Sequence, residues 1–380
     1  VNIVIGNCLS GNKTENADSK KAKIDLIMKR KEEHIEICLD QPVQAKSART
    51  LFNDMKLINN SLPEIDFDDI DTSTVFLGKK FSAPFMVGAM TGGAEMAKKI
   101  NANIAEAVEE LGLGMALGSQ RAALYDPVLE DTYTVARKNA PNAFIGANIG
   151  GAQISKGMGI SDIKKLVNMI DADALYVHLN PAQEIVQPEG EPKYRNVLEG
   201  IKGIVSSVDR PVIAKEVGFG LSPNVVAQLE KAGVKAVETA GMGGTSYAAV
   251  EWYRAKAMGM ASKVDLGNLL WDWGIPTAAS LYMIMKRSKI PVVSSGGLRT
   301  GMDVAKSLVM GASLTAMALP VLRPATKSPE DVKKFINNVI MELKSVMFLL
   351  GAKNIKELAR VPYVATGELA IWKDYADKTL

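Results

Sequence analysis

From about residue 81 onward, short apolar runs alternate with longer stretches in which apolar residues recur at helical spacing. The runs predict β-strands over Pro84–Ala89, Met115–Ser119, Ala143–Ile149, Ala174–Asn180, Pro211–Val217, Ala236–Ala240, Pro291–Ser295 and Ser313–Leu319. Helical patterns separate them, among them Ala94–Leu111, Ser161–Ile170, Ser222–Lys231 and Gly301–Met310. Eight strand–helix units over roughly 250 residues match the rhythm of a (β/α)8 TIM barrel, and their regularity favours closure over a doubly wound open sheet.

The flanks read differently. Residues 1–23 are polar and predict a mobile tail, and residues 24–80 predict an N-terminal arm or cap. The barrel is expected over 81–350, with Ser328–Leu350 as its last helix, and 351–380 form a C-terminal extension. Charge is dense at Met28–His34. Such a run is usually a solvated helix face; the other reading is an arm that brings Arg30, Lys31 and His34 to an anionic ligand. Spacing alone leaves both open. Two connections exceed the usual loop length, Ile185–Tyr194 and Gly241–Trp273, the second holding Trp252, Trp271 and Trp273. Long loops on a compact barrel are either lids and substrate walls or structural elaboration.

Chemistry collects at the strand ends, above all in Ala174–Glu184. Alternation places Tyr176, His178 and Asn180 on one face. Pro181 cannot continue a ladder, so Gln183 and Glu184 are expected in the following loop. The first strand runs into Ala89-Met90-Thr91 and two glycines, and the second into Ser119 and Arg121, which should share a face with Met115 and Leu117. Asn148 ends the third strand and Lys215 lies on the fifth. Barrel interiors are mostly filled by branched apolar side chains, so polar groups at five successive strand ends point to a site. After the seventh strand comes Gly296-Gly297-Leu298-Arg299, and after the eighth Ala318-Leu319. Loops there are a recurrent phosphate site, with amides and a helix N-terminus facing the anion. Lys215 reads either as a Schiff-base nucleophile or as a fixed cation beside an electron-rich ring; a phosphate-bearing cofactor favours the second.

Composition narrows the classes. With 47% apolar and 23% charged residues the chain reads as a soluble globular protein, and a net charge of +3 argues for neither nucleic acid nor a membrane surface. No apolar run approaches the length of a membrane span, and the opening Val1–Ile5 is too short for a signal-peptide core. The only cysteines, Cys8 and Cys38, offer no disulfide framework and no thiol in the barrel, as suits a reducing cytoplasm. His34 and His178 are the only histidines, too few for a His-rich metal site or a His-based triad. Glu184 is a poor cage alone, but one carboxylate plus substrate phosphates is a normal way to hold Mg²⁺. The residues by themselves therefore reach a cofactor-phosphate-binding barrel enzyme.

The motifs together resemble the type 2 isopentenyl-diphosphate isomerases, which are FMN-dependent barrels. The resemblance runs from about Arg30 to Trp372 and rests most specifically on Arg30-Lys31-x-x-His34 and His178-Leu-Asn-Pro-Ala-Gln-Glu184. Ala89–Gly93, Gly118–Arg121, Ala214–Gly218, Gly243–Ser246, Trp273–Thr277 and the more widely shared Ser295–Arg299 also match. Residues 1–23 have no counterpart, and Ala240 stands where some members carry a hydroxyl.

The resemblance implies that FMN is held by Ala89, Met90, Thr91, Ser119, Asn148, Lys215 and Thr245, with its phosphate at Gly297, Leu298, Arg299, Ala318 and Leu319. It implies that the substrate, isopentenyl or dimethylallyl diphosphate, meets Arg30, Lys31, His34, Ser119, Arg121, His178, Asn180 and Gln183. Glu184 would bind Mg²⁺, and Gln183 would sit by the reacting alkene as the catalytic side chain beside reduced FMN. The flavin would serve in acid–base chemistry without net redox change, with NADPH only as its reductant. A cytoplasmic homotetramer or larger assembly is also implied. The rival classes are an FMN barrel oxidoreductase acting on a small hydroxy acid or a nucleotide, and a non-catalytic barrel that binds a phosphate ligand.

Overall fold

Eight parallel strands close into a barrel in the order in which they occur along the chain. The computed structural model describes residues 17–380, with side chains described from residue 25. The strands are β1 (Phe85–Val87), β2 (Gly114–Ala116), β3 (Phe144–Gly150), β4 (Ala174–His178), β5 (Val212–Lys215), β6 (Ala236–Glu238), β7 (Val292–Ser295) and β8 (Leu314–Met317). The seam is closed by β8 beside β1, with Thr315 opposite Phe85 and Met317 opposite Val87. Helices cover the outer face, so the strands are buried on both sides and read as near-continuous apolar runs rather than alternating ones.

All eight expected strands are present, but most stop short at their C-terminal ends. β4 ends at His178 rather than Asn180, because Pro181 opens a helix, Pro181–Val186, that also carries Gln183 and Glu184. Those two residues are therefore helical and not in an open loop. β2 ends at Ala116, and Arg121 opens the short helix Arg121–Tyr125, so strand alternation does not put Arg121 on a face with Met115 and Leu117. β6 ends at Glu238, and Ala240 turns the chain with a φ of +36°. Leu319 likewise leaves the expected eighth strand and begins the helix Leu319–Lys327. The ladder is lost at this end because the backbone must splay to line a cavity.

The flanks pack on the barrel and on each other. The helix α1 (Ala17–Asp40) runs across the expected boundary at residue 23; residues 1–16 of the expected tail lie outside the described residues. A hairpin, Thr74–Phe76 with Lys79–Phe81, stands at the N-terminal end of the strands, where Phe76, Phe81 and Phe144 meet edge to face or tilted at 5.8–6.4 Å. Met55–Leu57 pairs antiparallel with Tyr363–Ala365, which joins the arm to the C-terminal extension. The long connection after β6 folds into two helices, Tyr247–Ala257 and Ala261–Leu270, which pack against Pro181–Val186.

Inside the barrel, Tyr176 fills the centre and its hydroxyl reaches Met86 Sδ at 3.4 Å. Space for that ring exists only because β3 carries glycine where the ring leans across it: a Cβ on Gly146 would lie 2.4 Å from the Tyr176 ring. Gly146→Ala should therefore overpack the interior and cost roughly 1–3 kcal/mol. A lowered chemical-denaturation midpoint would measure this, and an unchanged midpoint would refute the packing argument.

Candidate active site

A cavity of about 480 Å³ opens at the C-terminal ends of the strands, and every residue to which the sequence analysis assigns a cofactor, substrate or metal role lies in its wall. Ala89, Met90 and Thr91 follow β1, Ser119 and Arg121 follow β2, and Asn148 sits within β3. His178 and Lys215 end β4 and β5, and Asn180, Gln183 and Glu184 come from the turn and helix after β4. Thr245 lies at the start of the two-helix insertion. Gly297, Leu298 and Arg299 follow β7, and Ala318 and Leu319 follow β8. Arg30, Lys31 and His34 reach the cavity from α1: one side of that helix is solvated, as at Lys29, and the other faces the cavity.

The arm is held in place by one buried guanidinium. Arg254 Nε donates to Glu33 on α1 at 2.8 Å, and its Nη1 donates to Glu189 at 3.0 Å and to Glu251 at 2.8 Å. Burial would lower the Arg254 pKa, but Glu251, Glu189 and Glu33 outweigh it and raise it. Glu251 is fully buried; its Oε1 accepts from Gln183 Nε2 at 2.9 Å and lies 3.0 Å from His34 Nε2. Burial alone would raise its carboxyl, yet His34 and Arg254 hold it at about 2. Gln183 Oε1 accepts from Asn180 Nδ2 at 3.1 Å, so both ends of that amide are committed and its plane is set. Asn180 is itself set by Tyr194, whose hydroxyl donates to Asn180 Oδ1 at 2.6 Å and accepts from its amide at 2.9 Å.

The mouth of the cavity is cationic. Lys31 is pushed down to about 7 by burial and by neighbouring Arg30 and Arg121. Arg30 is lowered too, by burial and then by Arg121, with only partial relief from Glu189 at 3.5 Å. Three cations crowd together with too little anionic compensation, the arrangement an anionic ligand would relieve. His178, pushed down to about 3 by burial and by Lys215, Lys31 and Arg121, is neutral, with Nδ1 2.7 Å from Asn148 Oδ1.

The donor set fits a flavin phosphate and a cation held mainly by its substrate. Thr91 Oγ1 and Glu238 Oε2 are buried without a protein partner. The backbone after β7 is packed tightly enough that a Cβ on Gly297, whose φ is +79°, would lie 2.5 Å from Thr50 Cγ2. Such a loop exposes backbone amides, and Ala318 caps the helix Leu319–Lys327 with no side chain in the way. Among the described residues no group of three or more carboxylate, His or Cys side chains could form a metal cage. Glu184 offers one carboxylate, with Oε2 accepting from the Glu191 amide at 2.9 Å and Oε1 from Asn180 at 3.3 Å. That suits an ion whose remaining ligands are phosphate oxygens and water.

The family described as FMN-dependent dehydrogenase matches residues 26–144 and 179–364. An isopentenyl-diphosphate delta-isomerase of Methanococcoides burtonii is 49% identical over 330 residues, covering 87% of this chain and 90% of that one. Its counterpart in Methanosarcina barkeri is 45% identical over 344 residues, covering 90% and 93%. The chain belongs to the isopentenyl-diphosphate delta-isomerase family. Among solved structures, flavocytochrome b2 superposes with a TM-score of 0.63 at 18% identity (95% of this chain, 88% of that one). A mandelate oxidase holding an FMN adduct gives 0.55 at 15% identity (85% and 94%). At such identities these two show the shared barrel fold.

Several residues in or behind the cavity of this delta-isomerase-family chain carry no role in the sequence reading. Glu251 and Arg254 lie on the inserted helix Tyr247–Ala257 and look like ordinary charged helix residues until burial is known. Glu189 and Glu33 gain meaning only through Arg254, and Glu238 ends a strand that otherwise reads as apolar. The one usable signal is that Glu238 is a polar group on a barrel strand, like Lys215 and Asn148.

Lys31 is largely neutral at pH 8, and a nearby anion favours its charged form. Sulfate, which does not titrate near neutrality, should therefore bind at pH 8 with uptake of up to about one proton. Calorimetry in buffers of different ionisation enthalpy measures this. Lys31→Met should abolish the uptake, and uptake that persists in that variant would assign it elsewhere.

Proposed function

We propose that this protein interconverts isopentenyl diphosphate and dimethylallyl diphosphate. What carries the reading is the named relatives at 45% and 49% identity across about nine-tenths of the chain. A cavity that joins a cationic mouth to a flavin-compatible floor supports it.

Allylic transposition adds a proton at one carbon of an alkene and removes one from another, through a developing cation that needs a dry, electrostatically matched site. Arg30, Lys31 and Arg121 would take the diphosphate, with neutral His178, Ser119, His34 and Asn180 as further polar contacts. Glu184 would hold Mg²⁺ against the same phosphates. Gln183, its amide plane set by Asn180 and Glu251, would face the alkene and orient it or relay the proton. Thr91, Ser119, Asn148, Lys215 and Thr245, with backbone at Ala89 and Met90, would hold the flavin. Gly297–Arg299 and Ala318–Leu319 would take its phosphate. Bound in reduced form, FMN supplies an electron-rich plane and a ring N–H able to exchange a proton, with no net redox change. Lys215 would favour an anionic ring beside it. The arm, held by the Arg254 clamp, would limit the access of water to this space. The same reading takes NADPH as reductant, a cytoplasmic setting and a homotetramer or larger assembly. Among the described residues no helix is long and apolar enough to cross a membrane.

Protein supplied anaerobically with FMN, reductant, Mg²⁺ and isopentenyl diphosphate in deuterated buffer should produce dimethylallyl proton-NMR signals catalytically, with deuterium incorporated. Omitting the reductant should stop the reaction. No turnover by protein that binds FMN would sink the isomerase, and stoichiometric flavin reduction by a hydroxy acid would replace it with an oxidoreductase. Glu184→Gln should raise the Mg²⁺ concentration needed for half-maximal rate roughly 10–100-fold. An unchanged Mg²⁺ dependence would remove Glu184 from the metal site.

A further inference from the structure

Glu238 ends β6 at the floor of the cavity, 3% exposed, between Lys215 on β5 and Ser295 on β7. One of its oxygens is accounted for. Oε1 accepts from Ser295 Oγ at 2.8 Å and lies 3.9 Å from Lys215 Nζ. The direction of the serine bond is set by the backbone: the Ala240 amide donates to Ser295 Oγ at 3.0 Å, so the hydroxyl passes its own hydrogen to the carboxylate. The other oxygen, Oε2, is buried and has no protein partner. A buried carboxylate oxygen left without a donor is costly, so this one calls for a donor from whatever fills the cavity.

Position narrows what that donor can be. The glycine loop suited to a phosphate begins at Gly296, directly after Ser295, and Lys215 lies on the other side of Glu238. A ligand with its phosphate on that loop and its electron-rich ring beside Lys215 passes its connecting chain over Glu238. In FMN that chain carries hydroxyl groups, which are hydrogen-bond donors, whereas neither the phosphate dianion nor an alkene can donate. We propose that Glu238 is a further cofactor-binding residue, whose free carboxylate oxygen accepts a hydrogen bond from a hydroxyl of the polyol chain between flavin ring and phosphate. This rests on the reading of the cavity as a flavin site. The residue selects for a hydroxylated linker, a requirement distinct from recognition of ring or phosphate.

The test is fluorescence titration of flavin-free, full-length protein with FMN and with an analogue that carries the same ring and terminal phosphate on a plain pentyl chain. The unmodified protein should prefer FMN. In Glu238→Gln the amide oxygen stays on Ser295, which must donate to it, and the amide nitrogen faces the cavity, so an acceptor becomes a donor. This variant should bind FMN at least roughly tenfold more weakly while its affinity for the hydroxyl-free analogue stays unchanged. Glu238→Ala, which removes the acceptor without a replacement, should lose the same discrimination, and melting temperatures establish that both variants fold. Equal weakening for both ligands would make Glu238 a packing or charge residue and overturn the proposal, as would unchanged FMN affinity. Failure of the unmodified protein to bind either ligand would overturn the flavin reading beneath it.

Discussion

A single guanidinium ties the site together. Arg254 is drawn from an inserted helix into a buried position where it meets carboxylates from the arm, from the loop after β4 and from its own helix. A lone buried arginine would be costly, and so would the fully buried Glu251 carboxylate; each is tolerable because the other is there, with half-buried Glu33 and Glu189 completing the pairing. The outcome is geometric. The pairing holds the arm helix, the Glu189 loop and the inserted helix together over the strand ends, with Arg30, Lys31 and His34 at the cavity.

Charge is then divided unevenly across the roof. Around Arg254 opposite charges are paired, which makes that side a clamp. Around Lys31 they do not, and the neighbouring Arg30 and Arg121 leave an excess of positive potential next to a largely enclosed space. In a low-dielectric setting such an excess is worth far more than in water and selects for an anion. His178 stays neutral for the same reason, since burial and three cations oppose a further positive charge. The floor follows a different rule: its polar groups arrive one per strand, alternate with apolar neighbours, and leave Thr91 and Glu238 each with an atom still to be satisfied.

Gln183 shows how these two regions are joined. Its amide nitrogen reaches Glu251 in the clamp and its amide oxygen accepts from Asn180, which Tyr194 fixes in turn. A side chain with several rotatable bonds becomes a fixed dipole because both of its ends are spoken for by groups that are themselves held.

The eight strands, their order and the phosphate-type loops after the last two were legible in the chain, because a parallel strand buried on both faces leaves a continuous apolar run and a barrel repeats it at regular intervals. Lys215, Asn148 and His178 were legible as cavity-lining residues for the same reason: a polar group on such a run has nothing local to satisfy it. The strand ends were read too long, since alternation cannot reveal where the ladder gives way to a helix such as Pro181–Val186. Only the tertiary structure decided that the charged run on α1 turns inward, that Met55–Leu57 pairs with Tyr363–Ala365 across the length of the chain, and that Glu251, Arg254 and Glu189 form a clamp. Hydrophobic periodicity is local and survives in the sequence, whereas the worth of a charge depends on burial and on partners more than two hundred residues away.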